Sequence, residues 1–129
     1  MSMRLELVPL PVSDVDRSIS FYRDVVGFVL DHDVSPGNGM RVVQLTPPGS
    51  ACSIAFGVGM GAGTPVSNMH LVVEDLDTVR ADLAGKGLEV TPVQDTGGGV
   101  RYAFFADPDG NSWALQEIRA GARLPEPAS

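Results

Sequence analysis

VSDVDRSISFY, residues 12–22, and VEDLDTVRADL, residues 73–83, are one pattern written twice: Val12 meets Val73, Asp14 meets Asp75, Asp16 meets Asp77 and Tyr22 meets Leu83, always 61 positions apart. The same offset lays VVQLTPPGSACSI (42–54) over AFFADPDGNSWAL (103–115), matching Pro47 with Pro108 and Gly49 with Gly110. Between these blocks Gly27 meets Gly87 at an offset of 60, one deletion near the end of the quoted stretch. A duplication of this kind governs every later inference about fold. Copies of about 60 residues are small for independent cores, so the expectation is a single domain over residues 1–129. Within it lie a first module at 4–58, a Gly-rich linker at 57–65, a second module at 66–118 and a flexible tail at 119–129.

Each copy reads the same way. Residues 5–12 and 68–73 are apolar and strand-like, and each run leads into an Asp suited to capping a helix, because its side-chain oxygen can accept orphan N–H bonds. Val15, Ile19, Tyr22 and Val26 then recur at helical spacing, as do Leu76, Val79 and Leu83. Both are amphipathic stripes. Gly27 and Gly87 stop the helices. Strand candidates follow at 28–33, 40–46 and 52–58 in the first copy, and at 88–94, 100–106 and 111–118 in the second. TPPGS (46–50) and DPDGN (107–111) place Pro second and Gly fourth, as a type I turn prefers, while SPGNG (35–39) and DTGGG (95–99) supply the remaining loops. The order is strand, helix, strand, strand, strand, given twice. It predicts an α+β fold.

Composition narrows the function. Nine basic against sixteen acidic residues give a net charge of −7, with the acids scattered along the chain; a nucleic-acid partner would need a basic footprint. One cysteine, Cys52, cannot form an internal disulfide, so the fold needs no oxidising compartment, and a cytoplasmic location is expected. The N-terminal MSMRLELVPL carries Glu6 and no long apolar run, and the weakly polar stretch 54–63 is only ten residues long with four glycines, so neither a signal peptide nor a membrane span is expected.

The doubled unit, with DVDRSISFYRDVVGF at 14–28 and FADPDGNSWALQE at 105–117, resembles the vicinal oxygen chelate superfamily, which contains glyoxalase I, extradiol dioxygenases, fosfomycin-resistance proteins and bleomycin-binding proteins. The resemblance covers about residues 4–118. It implies that two βαβββ modules form one cup-shaped mixed sheet with helices outside and a ligand or metal site inside, often completed by a second subunit. In the metal-dependent members a ligand lies seven residues before each capping Asp and another seven residues after each first turn residue. Here those positions hold Leu7, Asn68, Ser53 and Ala114. None is His or Glu, and Leu and Ala offer no lone pair. No metal and no other cofactor is therefore expected; a divalent metal enters only if the site is shifted. His70, two residues beyond Asn68 on the same strand face, and Gln116 are what a shift by one pleat would recruit. Glu117, of opposite parity, should face away.

If Leu7 and Asn68 face the cup, strand alternation puts Leu5, Pro9, Ser53, Ala55, His70, Ala114 and Gln116 beside them, and the fold analogy adds Gln44 and Phe105. Val8, Leu10, Val12, Ile54, Phe56, Phe104, Trp113 and Leu115 then pack under the helices. Small residues mixed with His and Gln suit a small, partly apolar ligand held by a few directional hydrogen bonds. The expected ligand-binding set is Leu7, Gln44, Ser53, Asn68, His70, Phe105, Ala114 and Gln116. His70 is the candidate catalytic residue.

His32 lies between Asp31 and Asp33 and reads as either a site residue or a solvated strand end. Arg101 and Tyr102 read as either a polar lip over the cup or a hairpin shoulder. Cys52 reads as a small core residue. Pro9 and Pro11 remove two N–H groups from one side of the first strand, which should therefore be an edge. Two functions from different classes remain: a small-molecule binding protein similar in kind to the bleomycin-binding branch, or a lyase, isomerase or dioxygenase-like enzyme that uses a shifted metal or His70 as base. Either is compatible with a homodimer.

Overall fold

The computed structural model describes residues 1–58 and 63–119; residues 59–62 of the linker and the tail beyond Arg119 lie outside the described residues. The chain runs β1 (Leu7–Pro9), α1 (Val15–Ser20), a π-helical segment (Phe21–Val26), β2 (Val29–Gly37), β3 (Met40–Thr46) and β4 (Ser53–Val58), then β5 (Met69–Val72), α2 (Leu76–Gly85), β6 (Gln94–Asp95), β7 (Val100–Ala106) and β8 (Ser112–Ile118). Strand order is β1-β4-β3-β2 in one sheet and β5-β8-β7-β6 in the other. In each, the first and last strands of the module pair in parallel and the remaining pairs are antiparallel. Two four-stranded mixed sheets from two βαβββ repeats make this the expected α+β fold, and β1, with its two prolines at and beyond its end, is an edge strand. Among the described residues no helix is long and apolar enough to cross a membrane.

Two compact units divide the chain: Met1–Val66 with Asp107–Asn111, and Ser67–Ala106 with the residues from Ser112 onward. The core of the first unit includes Ile19, Tyr22, Phe28, Val43, Leu45, Ile54 and Phe56; that of the second includes Leu76, Leu83, Ala103, Phe105, Trp113 and Leu115.

Both helices begin as the sequence indicates. The Asp14 carboxylate accepts the Arg17 N–H at 3.0 Å, and that of Asp75 accepts the Thr78 N–H at 3.1 Å. This backbone N–H holds the Asp75 carboxyl below its ordinary range. Asp75→Ala should cost about 1 kcal/mol, the usual loss for an N-cap, read as a lower midpoint in urea with an unchanged m-value. The first helix departs from expectation halfway along. From Phe21 it widens into a π-helix, and the N–H groups of Gly27 and Phe28 both reach the Tyr22 carbonyl, at 3.0 and 2.8 Å. Tyr22 is fully buried at this point, its ring 5.5 Å from Phe28 and 6.1 Å from Phe56, and its hydroxyl donates to Asp107 at 2.7 Å.

A repeated ion pair ties each helix to its sheet. Arg41 on β3 bonds Asp16 at 3.0 Å, and Arg101 on β7 bonds Asp77 at 2.9 Å. In the second unit Arg101 also grips Glu117 at 2.9 Å, and the Glu117 carboxylate accepts the Leu76 N–H at 2.7 Å, joining strand β8 to the first turn of α2.

Three boundaries move. β2 extends to Gly37, because Asn38 and Gly39, both at positive φ, close a two-residue hairpin onto Met40, the turn Asn-Gly favours. Residues 88–93 are not a strand: Pro92 has no N–H to give a ladder, and Arg80 of α2 takes the carbonyls of Thr91 and Val90 at 2.8 and 3.3 Å. The TPPGS turn closes between Pro47 and Ser50 at 3.0 Å, with Gly49 third at φ 81°, whereas the DPDGN turn closes between Asp107 and Gly110 at 3.1 Å with glycine fourth.

Candidate functional site

Directly paired residues share a sheet face, and the face alternates along a strand. In the first unit Leu7 pairs with Ser53, Pro9 with Ala55, Ala55 with Gln44 and Gln44 with His32. These therefore lie together on the face turned away from the helix, while Val43, Leu45, Ile54 and Phe56 bury the other face. Strand β2 carries a bulge at Asp31, between the pairs Leu30–Leu45 and His32–Gln44. A bulge re-aims a side chain, and here the Asp31 carboxylate accepts the Thr46 hydroxyl. Thr46 and Ser53 oxygens lie 2.7 Å apart, and Gln44 Nε2 donates to Ser53 Oγ at 3.2 Å. Four side chains thus form one polar row.

The second unit builds the corresponding face from His70, Ala114, Gln116, Tyr102 and Phe104, through the pairs His70–Ala114, Tyr102–Gln116 and Phe104–Ala114. Gln116 Nε2 donates to the Tyr102 hydroxyl at 2.9 Å, leaving the phenol proton available to a further acceptor. His70 Nδ1 lies 2.8 Å from the Asn68 carbonyl. A carbonyl only accepts, so Nδ1 carries the proton and, in the neutral ring, Nε2 keeps its lone pair. The His70 ring stands edge-on to Tyr102 with centroids 6.0 Å apart, and Tyr102 runs nearly parallel to Phe104 at 11°. At the Phe104 end a groove of about 530 Å³ is bordered by Leu88, Val90, Pro92, Ala106 and Ser112.

Phe105 does not belong to this face. It pairs with Trp113 in register and stacks on it at 6.2 Å under α2, and Phe104 takes the helix-distal position instead. The reason is a change of offset. Gln116 follows Ala55 by 61 residues, but their partners Tyr102 and Gln44 are only 58 apart. An odd slip of three reverses the face of every β7 residue aligned from the turn. On the first strands the slip is even: Ser53 faces Leu7, but Ala114 faces His70, 63 positions on. His70 therefore keeps its predicted face and takes the place opposite Ala114 where Asn68 was expected. Asn68 sits just ahead of β5 at φ 57°, its N–H donating to Ser112 Oγ at 2.8 Å.

Arg101 is no lip, since its guanidinium is held on the helix side by Glu117 and Asp77; Tyr102 does reach the helix-distal face. Glu117 turns away from that face, as its parity requires. His32 joins it beside Gln44. Cys52 is half-buried, with Sγ 3.7 Å from the Ser53 carbonyl. Missing from the sequence reading were the row through Asp31 and Thr46 and the paired tethers Arg41–Asp16 and Arg101–Asp77. The tethers had a signal: the arginines are 60 apart and the aspartates 61.

The donor chemistry does not suit a divalent metal at the positions opposite one another on first and last strands. Leu7 and Ala114 have no donor atom, Ser53 is a weak one, and His70 is a single imidazole. Among the described residues no three His, Cys, Asp or Glu side chains gather as a metal-holding group.

A duplicated βαβββ chain with a polar, partly aromatic helix-distal face on each sheet defines the class. The family profile described as Glyoxalase/Bleomycin resistance protein/Dioxygenase superfamily matches residues 4–115, and the chain belongs to that superfamily. It is similar to TnmS3, an antibiotic binding protein from Streptomyces sp. CB03234, at 32% identity and a TM-score of 0.79 over 92% of this chain and 98% of that one. A superfamily member from Sphaerobacter thermophilus DSM 20745 is 27% identical with a TM-score of 0.79, over 90% of this chain and 98% of that one. Lactoylglutathione lyase GLX1 of Arabidopsis thaliana is 31% identical over 90% of this chain, which spans only 44% of that protein's length.

Proposed function

We propose that this protein binds a small, partly apolar molecule, in the manner of an antibiotic-binding protein such as TnmS3, without the metal used elsewhere in the superfamily. The observation that carries this reading is the His70–Tyr102–Gln116 cluster, which offers an imidazole lone pair and a free phenol proton side by side at the edge of an aromatic strip. Directional polar groups next to apolar surface are what a small-molecule site requires. Gln44 and Ser53 contribute further polar groups, and Leu7 and Ala114 apolar ones, to the helix-distal faces, and Asn68 acts by holding the His70 ring. The reading includes a homodimer in the cytoplasm.

Titrating a panel of antibiotics and aromatic metabolites by calorimetry should find a saturable ligand at one per chain. Tyr102→Phe and His70→Ala should each weaken it about tenfold, the worth of one directed hydrogen bond of about 1.4 kcal/mol. A panel that produces no saturable binding, or stoichiometric zinc, nickel, iron or manganese in gently purified protein, rejects the reading. The enzyme alternative rests on the same His70 Nε2 lone pair, which is placed to take a proton. Turnover of any panel compound that His70→Ala abolishes while binding persists would favour it.

A further inference from the structure

We propose that Asp31 is a positioning residue: through Thr46 and Ser53 it fixes the Gln44 amide so that the first sheet presents a hydrogen-bond acceptor and selects ligands carrying a hydroxyl or N–H donor. The inference follows from counting protons along the polar row. A carboxylate accepts only, so the single hydroxyl proton of Thr46 goes to Asp31. In the 2.7 Å contact between Thr46 and Ser53 the proton must then come from Ser53. With its own proton spent, Ser53 Oγ is an acceptor toward Gln44, and the group it faces must be Nε2, at 3.2 Å. The row runs one way, from amide to hydroxyl to hydroxyl to carboxylate, and each member polarises the next. Gln44 Oε1 is the acceptor this row does not use. It belongs to a side chain on the helix-distal face, in register with His32.

Asp31 can reach Thr46 because it is the extra residue of the β2 bulge. An asparagine in its place brings an Nδ2–H donor. Donation from that group to Thr46 reverses the whole row: Thr46 donates to Ser53, Ser53 donates to Gln44 Oε1, and the amide turns over to present NH₂. Asp31 is exposed, so the change leaves the core untouched.

The selectivity half of the proposal rests on the small-molecule reading above; the positioning half does not, and two measurements separate them. In nuclear magnetic resonance spectra of the free wild-type protein, the Gln44 side-chain NH₂ protons should show cross-peaks to the Ser53 β-protons. Asp31→Asn should abolish these or cut their intensity at least about threefold, as should Thr46→Val, while Thr46→Ser keeps them. Binding of 1-naphthol, a donor, and 1-methoxynaphthalene, which lacks one, is followed in the same spectra. Wild type should prefer 1-naphthol about tenfold, one hydrogen bond's worth, and Asp31→Asn should reduce the preference below about threefold. Unchanged Gln44 cross-peaks in both Asp31→Asn and Thr46→Val overturn the positioning role. An equal preference in wild type and Asp31→Asn overturns the selectivity. If neither probe binds while the cross-peaks respond as stated, positioning stands and the ligand-binding reading of this face fails.

Discussion

Replacing Glu117 with alanine should destabilise the protein by about 2 to 3 kcal/mol, because it strips the Leu76 N–H of its acceptor and takes from half-buried Arg101 the more buried of its two carboxylate partners. Glu117 is 4% exposed. Its carboxylate takes the Leu76 N–H, both the Nε and an Nη of Arg101, and the Arg119 Nε. Removing it leaves the Leu76 N–H at the start of α2 without its acceptor and Arg101 with Asp77 alone. At about 3 to 5 °C per kcal/mol for a chain of this size, the melting midpoint should fall by more than about 5 °C by circular dichroism. A fall smaller than that of Asp75→Ala would show that the charge cluster contributes little.

Acid should have the same target. The Leu76 N–H, followed by the arginines, holds the Glu117 carboxyl at about 2, below its ordinary 4.5. A group depressed in the folded state contributes stability that is fully present above its unfolded value and lost as pH falls toward the folded one. Wild type should therefore lose stability between pH 4.5 and about 2 relative to Glu117→Gln, which has no proton to take up there. Parallel stability profiles for the two proteins across that window would contradict the assignment.

The second large effect is expected at Asn111, which is fully buried. Its side chain accepts the Val66 N–H and donates to the Pro11 carbonyl and to Asp107 Oδ2, each at 2.9 Å. Alanine there takes the acceptor from the half-buried Val66 N–H and a donor each from the half-buried Pro11 carbonyl and the buried Asp107 carboxylate, which keeps the Tyr22 hydroxyl. With about 1 to 3 kcal/mol for each buried polar group left unsatisfied, and water recovering part of it, the loss should be about 3 kcal/mol. Asn111→Asp should fare no better, since it turns a donor toward Asp107 into a second carboxylate. Urea unfolding tests both, and a loss below about 1 kcal/mol for alanine would mean that the partners find replacements.

The repeat made the doubled order of strands and helices, the helix starts and the faces of β5 and β8 legible, because those depend on spacing along one copy or on an even slip between copies. Phe104 and Phe105 were misassigned because the two turns look alike while the strands before them are displaced by three residues. Nothing in PPG and PDG announces a difference in hairpin register. The missing strand at 88–93 depended on Arg80 reaching from the helix to claim two carbonyls, a tertiary contact without a local signature. The row from Asp31 to Gln44 needed a bulge, and no residue at 29–34 marks one. Glu117 was read correctly as facing away, yet its role as a cap for α2 lies 41 residues away in sequence.

The turn Asp107–Asn111 belongs to the first unit although the chain on either side of it belongs to the second. Asp107 receives the Tyr22 hydroxyl, Asp109 receives the Ser13 hydroxyl at 2.6 Å, and Asn111 reaches Pro11. The second half of the sequence thus supplies five residues to the first unit. Separating the halves would take from the first unit the acceptors of the Tyr22 and Ser13 hydroxyls and the donor to the Pro11 carbonyl.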